Sequence, residues 1–299
     1  MSKSSYLKNE SLKPNLILTY AILLFCVIAW GSNFVIGKIL IDYFHPYTIT
    51  LVRLIAINIF LWLFLYRYLS IKNIPLKVWV GLAISGLIGI TLNQYTFFLG
   101  LVTASPVTSA LILALAPITT SILTFVVFKE KRIWKFWVGG LIALGGVSIS
   151  VLDGGSLGIG RGEIAIIITM LTFAIFIVMI QWLAKYINSI QITLLTNAFG
   201  VAFLLPFLST VDYQHIITVD IKLWILLIVS GIIVHGISNM LWNQEMPKVG
   251  AAKASLLMNL EPFIAMVGSS LILGSRILVI EIIGACLIIY GVILALYKK

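Results

Sequence analysis

Residues 77–88 read KVWVGLAISGLI, and residues 222–233 read KLWILLIVSGII. A shift of 145 residues superposes these stretches and extends the match, without a gap, over 77–151 and 222–296. Glycine, proline and tryptophan coincide by chance less readily than the common apolar residues, so their matches indicate an internal repeat. The identical positions are Lys77/Lys222, Trp79/Trp224, Leu82/Leu227, Ser85/Ser230, Gly86/Gly231, Ile88/Ile233, Leu111/Leu256, Leu115/Leu260, Pro117/Pro262, Gly139/Gly284, Gly146/Gly291 and Val147/Val292.

The composition excludes a water-soluble fold. Of 299 residues, 61% are hydrophobic and 10% are charged, whereas soluble domains have about 45–50% apolar and about 25% charged residues. Apolar stretches long enough to span a bilayer predict an all-α polytopic membrane protein with ten transmembrane helices. These helices are expected at 16–38, 48–68, 76–97, 105–128, 134–152, 163–186, 190–209, 221–243, 250–273 and 278–297.

The repeat divides the ten predicted helices into two sets of five, in residues 1–152, which include a short N-terminal tail, and 163–299. An odd number of crossings places the second set upside down relative to the first. Inverted repeats recur in secondary transporters, where the substrate site lies between the halves near the membrane midplane. The sequence therefore predicts two inverted five-helix repeats with a site between them.

The basic residues predict the orientation of the chain. The net charge is +10, but lysine and arginine lie in short gaps between apolar stretches, so the membrane surface explains them better than nucleic acid does. With the N-terminus inside, fifteen of the twenty lie on the inner side. This asymmetry predicts that both termini are cytoplasmic, and the membrane is expected to be a bacterial inner membrane.

Several stretches in a fixed order resemble a known family. They are WGSNFVIGK at 30–38, HPYTITLVRLIA at 45–56, the segment at 104–147 with Pro117 and Glu130, and its second copy at 249–292. Together they resemble the EamA-type members of the drug/metabolite transporter superfamily. The resemblance implies export of amino acids or similar compounds. One departure is Ser275, which aligns with Glu130, so no coupling role is carried over to either position.

The eighth predicted helix has polar residues on one face. His235, Asn239 and Trp242 are spaced i, i+4 and i+7. Facing lipid, the imidazole and amide groups would lack hydrogen-bond partners. We therefore expect these residues to line a cavity, or alternatively to form structural hydrogen bonds between helices.

The first and third predicted helices have similar faces. Trp30 and Asn33 share a face of the first, and Gln94 and Tyr95 lie on the polar face of the third. A polar face opposite an apolar one predicts that the helix borders a cavity. We expect all four residues to contribute to a substrate site.

Glu261 is an acidic residue near the middle of the ninth predicted helix, where the first half has Ala116. Ionisable residues inside the membrane are costly and are candidates for function by default. The interpretations are binding of substrate or a proton, or a hydrogen bond to the carbonyl of Met258, which Pro262 leaves free.

Two basic residues lie in or next to predicted helices. Lys38, near an outer helix end, is expected to extend its ammonium group to the membrane surface. Arg53 is expected either to do the same or to pair with Asp42 or Glu281. The sequence leaves these alternatives open.

The sequence favours a secondary transporter of small organic metabolites that works by alternating access in the lipid bilayer, with protons as a candidate coupling ion. Its predicted substrate-binding residues are Trp30, Asn33, Gln94, Tyr95, His235, Asn239, Trp242 and Glu261. No cofactor, metal or nucleic acid is implied, and no nucleotide-binding loop is found. The alternatives are a membrane sensor or scaffold, and an intramembrane enzyme, for which the sequence offers no catalytic constellation.

Overall fold

The structure, a computed structural model, describes residues 16–69, 74–129, 134–152, 160–210, 218–249 and 257–296. Within these ranges the chain is helical and has no β-strand. We label the helices α1 (Leu16–Ile41), α2 (Pro46–Leu65), α3 (Leu76–Thr103), α4 (Pro106–Phe128), α5 (Trp134–Leu152), α6 (Arg161–Leu183), α7 (Ser189–Leu204), α8 (Ile221–Gly231, Ile232–Ile237 and Ser238–Val249), α9 (Glu261–Leu273) and α10 (Val279–Leu296). Short 3₁₀ turns follow α2 at Tyr66–Tyr68 and α7 at Leu205–Thr210.

Seven helices are long and apolar enough to cross a membrane, judged by length and composition, among the described residues. They are α1, α2, α3, α4, α6, α7 and α8, whereas α5, α9 and α10 contain shorter apolar stretches. The all-helical, multi-pass architecture is therefore confirmed. The count of ten crossings stays a prediction, and part of the ninth predicted helix, 250–256, lies outside the described residues.

The boundary between α3 and α4 differs from the prediction. We expected α3 to end at residue 97, but it continues to Thr103. The next helix begins at Pro106, and Ser105 caps it by accepting a hydrogen bond from the Thr108 backbone N–H at 2.9 Å. A proline in the first turn and a serine N-cap together fix this helix start.

The repeat is visible in a distortion of the backbone. In α3 the segment Gly86–Leu92 is π-helical, and in α8 the segment Ile232–Ile237 is too. The Asn93 N–H bonds the carbonyl five residues back, and so does the N–H of Ser238, which lies 145 positions later. Such π segments are rare and concentrate at functional sites. Both halves of the chain contain a π segment at the matching position.

A second matched feature interrupts the fourth helix of each half. The helix breaks at Ala114–Leu115 in α4, and at Asn259–Leu260 immediately before α9. The cause lies just after each break, at Pro117 and Pro262. A proline lacks the N–H, and its ring collides with the carbonyl four residues back.

Both of these helices also end alike. The residue after α4 is Lys129 and the residue after α9 is Gly274, and each adopts a left-handed conformation, with φ of 55° and 66°. The two positions are again 145 residues apart.

Helices α5 and α10 pack backbone to backbone through glycines. A Cβ on Gly139 would collide with the carbonyl of Gly291, and a Cβ on Gly146 with the carbonyl of Gly284. As the number rises along α5 it falls along α10, so the helices run antiparallel. In the alignment, Gly139 matches Gly284 and Gly146 matches Gly291. Gly139 therefore contacts the counterpart of Gly146, and Gly146 contacts the counterpart of Gly139, as in a two-fold symmetric interface.

The remaining contacts follow the same plan. Helix α1 packs against α8 and α9, and α6, which begins the second half, packs against α3 and α4. Helix α2 packs against α7. This arrangement brings α1, α2, α3 and α8 together, and these four helices supply the site described next.

Candidate functional site

Arg53 of α2 lies at the centre of a buried polar cluster. Its side chain is 0% exposed, and its Nη2 donates a hydrogen bond to Oδ1 of Asn33 on α1 at 2.8 Å. The guanidinium carbon lies 5.2 Å from the centre of the Phe98 ring on α3, within range of a cation–π contact. Helices α1, α2 and α3 thus meet around a single cation.

The sequence-based expectation for Arg53 is wrong. It neither reaches the membrane surface nor pairs with an acidic residue among those described. Asp42 is exposed beyond the end of α1, and Glu281 accepts a hydrogen bond from the Leu278 N–H at 3.0 Å in the first turn of α10. Both carboxylates are engaged or placed elsewhere.

A glycine on α8 makes room for the arginine. A Cβ on Gly231 would lie 3.2 Å from both Cγ and Nε of Arg53. In the first half, the matching Gly86 instead admits the backbone of α7, where its Cβ would meet the Thr196 carbonyl at 2.7 Å. The same glycine permits a close helix contact in one half and a buried cation in the other.

His235 joins the cluster from the π segment of α8. Its Nε2 lies 2.7 Å from Nε2 of Gln94 on α3. An amide nitrogen can only donate, so this orientation makes Nε2 of His235 the acceptor and places the ring proton on Nδ1. His235 and Arg53 lie within electrostatic range of each other.

Three nitrogen atoms in this cluster are buried without a hydrogen-bond partner among the described residues. They are Nε and Nη1 of Arg53 and Nδ1 of His235. Buried polar atoms in native proteins almost always have partners, so each exception needs an explanation. All three carry N–H groups, so the cluster lacks acceptors rather than donors.

Two tryptophans contact each other between α1 and α8. Trp30 of α1 donates from Nε1 to the Val234 carbonyl at 3.0 Å, next to His235 in the chain. Its ring is tilted at 57° against that of Trp242, with the ring centres 4.9 Å apart. Helices α1 and α8 are therefore held together at the level of the π segment, and substrate binding by the two tryptophans stays a prediction.

Glu261 begins α9 and lies beside α1. A Cβ on Gly31 would approach the Glu261 carbonyl at 3.1 Å, two residues before Asn33. The side chain is partly buried and forms no hydrogen bond with the described residues. The hydrogen bond to the Met258 carbonyl, one of the two predicted alternatives, is therefore not formed between these described residues.

The other predicted site residues lie apart. Tyr95 packs against an apolar cluster of α2 and α7 that contains Leu54 and Leu194, and Asn239 is exposed. Their predicted contribution to substrate binding is untested. In α8 the end of the π segment lies between His235 and Asn239 and changes their relative orientation, whereas Tyr95 lies about 100° around α3 from its neighbour Gln94.

Lys38 lies at the end of a neighbouring helix. Its Nζ donates to the Leu101 carbonyl at 2.7 Å and to the Val102 carbonyl at 3.2 Å. These are among the last carbonyls of α3, which no helical N–H can reach. The ammonium group thus caps a neighbouring helix, and its reach to the membrane surface stays a prediction.

The sequence matches a known protein family over nearly its whole length. The model of the EamA-like transporter family matches it twice, at residues 17–152 and 160–297. The chain belongs to this family. It is thus a member of the drug/metabolite transporter superfamily with a duplicated EamA domain, as the sequence motifs suggested.

Individual relatives cover nearly the whole chain. The uncharacterized transporter YyaM of Bacillus subtilis (strain 168) is 29% identical over 283 residues, which are 92% of each chain. The uncharacterized transporter YetK of the same strain is 24% identical over 279 residues, 90% of this chain and 84% of YetK. An uncharacterized transporter of Archaeoglobus fulgidus is 23% identical over 280 residues, 94% of this chain and 99% of the relative.

A solved crystal structure has the same fold. It superposes with a TM-score of 0.64 and 19% sequence identity, over 94% of this chain and 96% of the other. At this identity the likeness concerns the fold alone. The family and its apolar helices together make this protein a multi-pass membrane transporter of small molecules in a lipid environment.

Proposed function

We propose that this EamA transporter exports amino acids or related metabolites across a bacterial inner membrane by alternating access. The observation that carries the proposal is the buried cluster of Asn33, Arg53, Gln94 and His235. Polar and charged groups inside a membrane are costly, and they mark substrate or ion pathways. The cluster draws on both halves of the chain, where inverted-repeat transporters place their substrate.

Inverted topology is part of the proposal. It rests on the antiparallel, crosswise contact of Gly139 with Gly291 and of Gly146 with Gly284. A two-fold axis that exchanges these two pairs also exchanges α5 and α10, which run antiparallel. With ten crossings, both termini would lie in the cytoplasm, in keeping with the positive-inside bias.

Alternating access is supported by a difference between two equivalent helix pairs. Helices α1 and α9 are in close contact, since a Cβ on Gly31 would lie 2.7 Å from Cβ of Ile264. Their counterparts α6 and α4 also pack against each other, but they leave an apolar crevice of about 340 Å³ between them, lined among others by Leu123 and Met179. One closed and one partly open pair is what a transporter in a single conformational state would have.

Flux in proteoliposomes tests the proposal. The purified protein is reconstituted, and uptake of labelled amino acids and related metabolites is followed with and without an imposed pH gradient. Uptake of at least one compound above that of empty vesicles is expected. No movement of any member of a broad panel, by protein that is folded and inserted, would contradict transport and favour a sensor or scaffold.

The same assay tests Glu261 as the proton-coupling residue. We expect uptake to rise with the proton gradient and Glu261→Gln to lose that dependence, because the amide cannot exchange the proton. Glu163→Gln, in the first turn of α6, is the matched control and should keep it. Uptake that ignores the gradient in the unmodified protein would indicate facilitated diffusion or exchange instead.

A further inference from the structure

Packing of the fold does not explain why Arg53 is buried without a counter-charge. Burial of a charge without a counter-charge is strongly unfavourable, and a structural arginine in a protein interior is normally paired. Arg53 has one neutral partner, Asn33, and an aromatic ring. Among the described residues no carboxylate pairs with it.

The unpaired atoms indicate what is absent. Three donor nitrogen atoms of the cluster, on Arg53 and His235, have no acceptor among the described residues, and the hydrogen-bond partners that these two residues do have are the amides of Asn33 and Gln94. A cationic substrate would add hydrogen-bond donors and positive charge to the Arg53 cluster, which already has an excess of both. An anionic group would supply the missing acceptors and neutralise the guanidinium.

We propose that Arg53 binds the carboxylate of the transported substrate, with His235 donating a second hydrogen bond from Nδ1. This inference rests on the proposed transport function and specifies its substrate class: small organic acids and amino acids, not organic amines. A carboxylate suits the site because guanidinium and carboxylate form paired, charge-assisted hydrogen bonds.

Asn33 then acts as a placeholder for the substrate. Its Oδ1 accepts a hydrogen bond from Nη2 at 2.8 Å, and a carboxylate that binds the same N–H of Nη2 displaces it. The displaced amide would free α1 from α2. Because α1 also packs against α8 and α9, this exchange links binding to the helices that must separate for access.

Matched ligand pairs test the proposal on the full-length protein. Thermal melting of the purified protein is recorded with phenylalanine and phenethylamine, histidine and histamine, and lysine and cadaverine, along with succinate. At least one carboxylate should raise the melting temperature, and the corresponding amine should not. Equal stabilisation by both members of a pair, or none by any carboxylate, would overturn the proposal.

Two variants locate the effect at Arg53. Arg53→Gln should weaken binding of the stabilising carboxylate at least about tenfold, whereas Arg276→Gln, on an exposed arginine, should not change it. If the Gln variant does not fold, Asn33→Asp still decides the question. It supplies an internal carboxylate, so it should raise the melting temperature of the free protein and abolish stabilisation by the added carboxylate.

The outcomes separate this proposal from the transport function itself. Flux of amines as well as amino acids, unchanged in Arg53→Gln, would overturn the carboxylate site and leave transport in place. Absence of all flux, with carboxylate binding that depends on Arg53, would preserve the site and overturn transport. A carboxylate preference retained in Arg53→Gln would show that another residue binds it.

Discussion

The two halves of this transporter match in their backbone and differ in their buried side chains. The π segments in α3 and α8, the breaks before Pro117 and Pro262, and the left-handed residues after α4 and α9 all recur at a spacing of 145 residues. Yet His235 replaces Ile90, and Glu261 replaces Ala116. Features present in both halves serve the fold, whereas those present in only one are free to serve binding.

The same division holds for the polar residues within α3. Asn93 donates to the Thr169 carbonyl at 2.8 Å and to the Thr172 hydroxyl at 3.1 Å, so it joins α3 to α6. Its neighbour Gln94 contacts His235 instead. The adjacent residues Asn93 and Gln94 therefore have different roles: Asn93 holds the two halves together, and Gln94 contributes to the Arg53 cluster.

The largest effect is expected where the two halves touch. Gly139→Ala should destabilise the protein by about 2–3 kcal/mol, because the new Cβ overlaps the backbone of Gly291 and Ala295. Denaturant or thermal unfolding of purified protein measures this. Gly145→Ala is the control, since a Cβ there meets nothing within 4 Å. Equal effects of both substitutions would mean that the glycine contact does not hold α5 and α10 together.

A smaller effect, on function alone, is expected from giving α8 the residue of α3. His235→Ile should fold, because the aligned position holds isoleucine, but should lower flux by about tenfold, roughly 1.4 kcal/mol. Ile237→Val, in the same π segment, should leave flux unchanged. Full flux in His235→Ile would remove the histidine from the site and weaken the distinction between the halves.

The smallest effect is expected from a structural amide. Asn93→Ala should cost about 1 kcal/mol of stability, typical of a hydrogen bond between membrane helices, with normal flux per folded molecule. Asn197→Ala removes a bond to the Thr193 carbonyl of its own helix and should cost less. A loss of flux in Asn93→Ala without a loss of stability would move Asn93 into the binding cluster.

The sequence predicted the large features because they depend on hydrophobicity. The apolar stretches located nearly every described helix, and the repeat anticipated the duplicated family domain. The π segments were not predicted, since one extra residue in a helical turn leaves an apolar stretch unchanged. Gln94 and Tyr95 were expected together but have different neighbours, because adjacent residues of an α-helix point about 100° apart.

Arg53 was misjudged for a different reason. Sequence reasoning looked for an acidic partner and found Asp42 and Glu281, but the partner is the neutral Asn33, twenty residues away on another helix. Which side chains meet across helices depends on rotations that one sequence does not determine. A lone arginine within an apolar stretch was nonetheless a usable signal, because such a charge is seldom retained without a function.

The crosswise glycine contact also bears on the origin of the chain. Gly139 contacts Gly291, the counterpart of Gly146, while Gly146 contacts Gly284, the counterpart of Gly139. Two copies of an undivided ancestor with only five helices would make this contact as a symmetric homodimer. In the single chain, a Cβ added to Gly139, Gly146 or Gly291 would still collide with the backbone of the opposite helix. This shared constraint explains why these glycines stayed identical while the residues around them diverged.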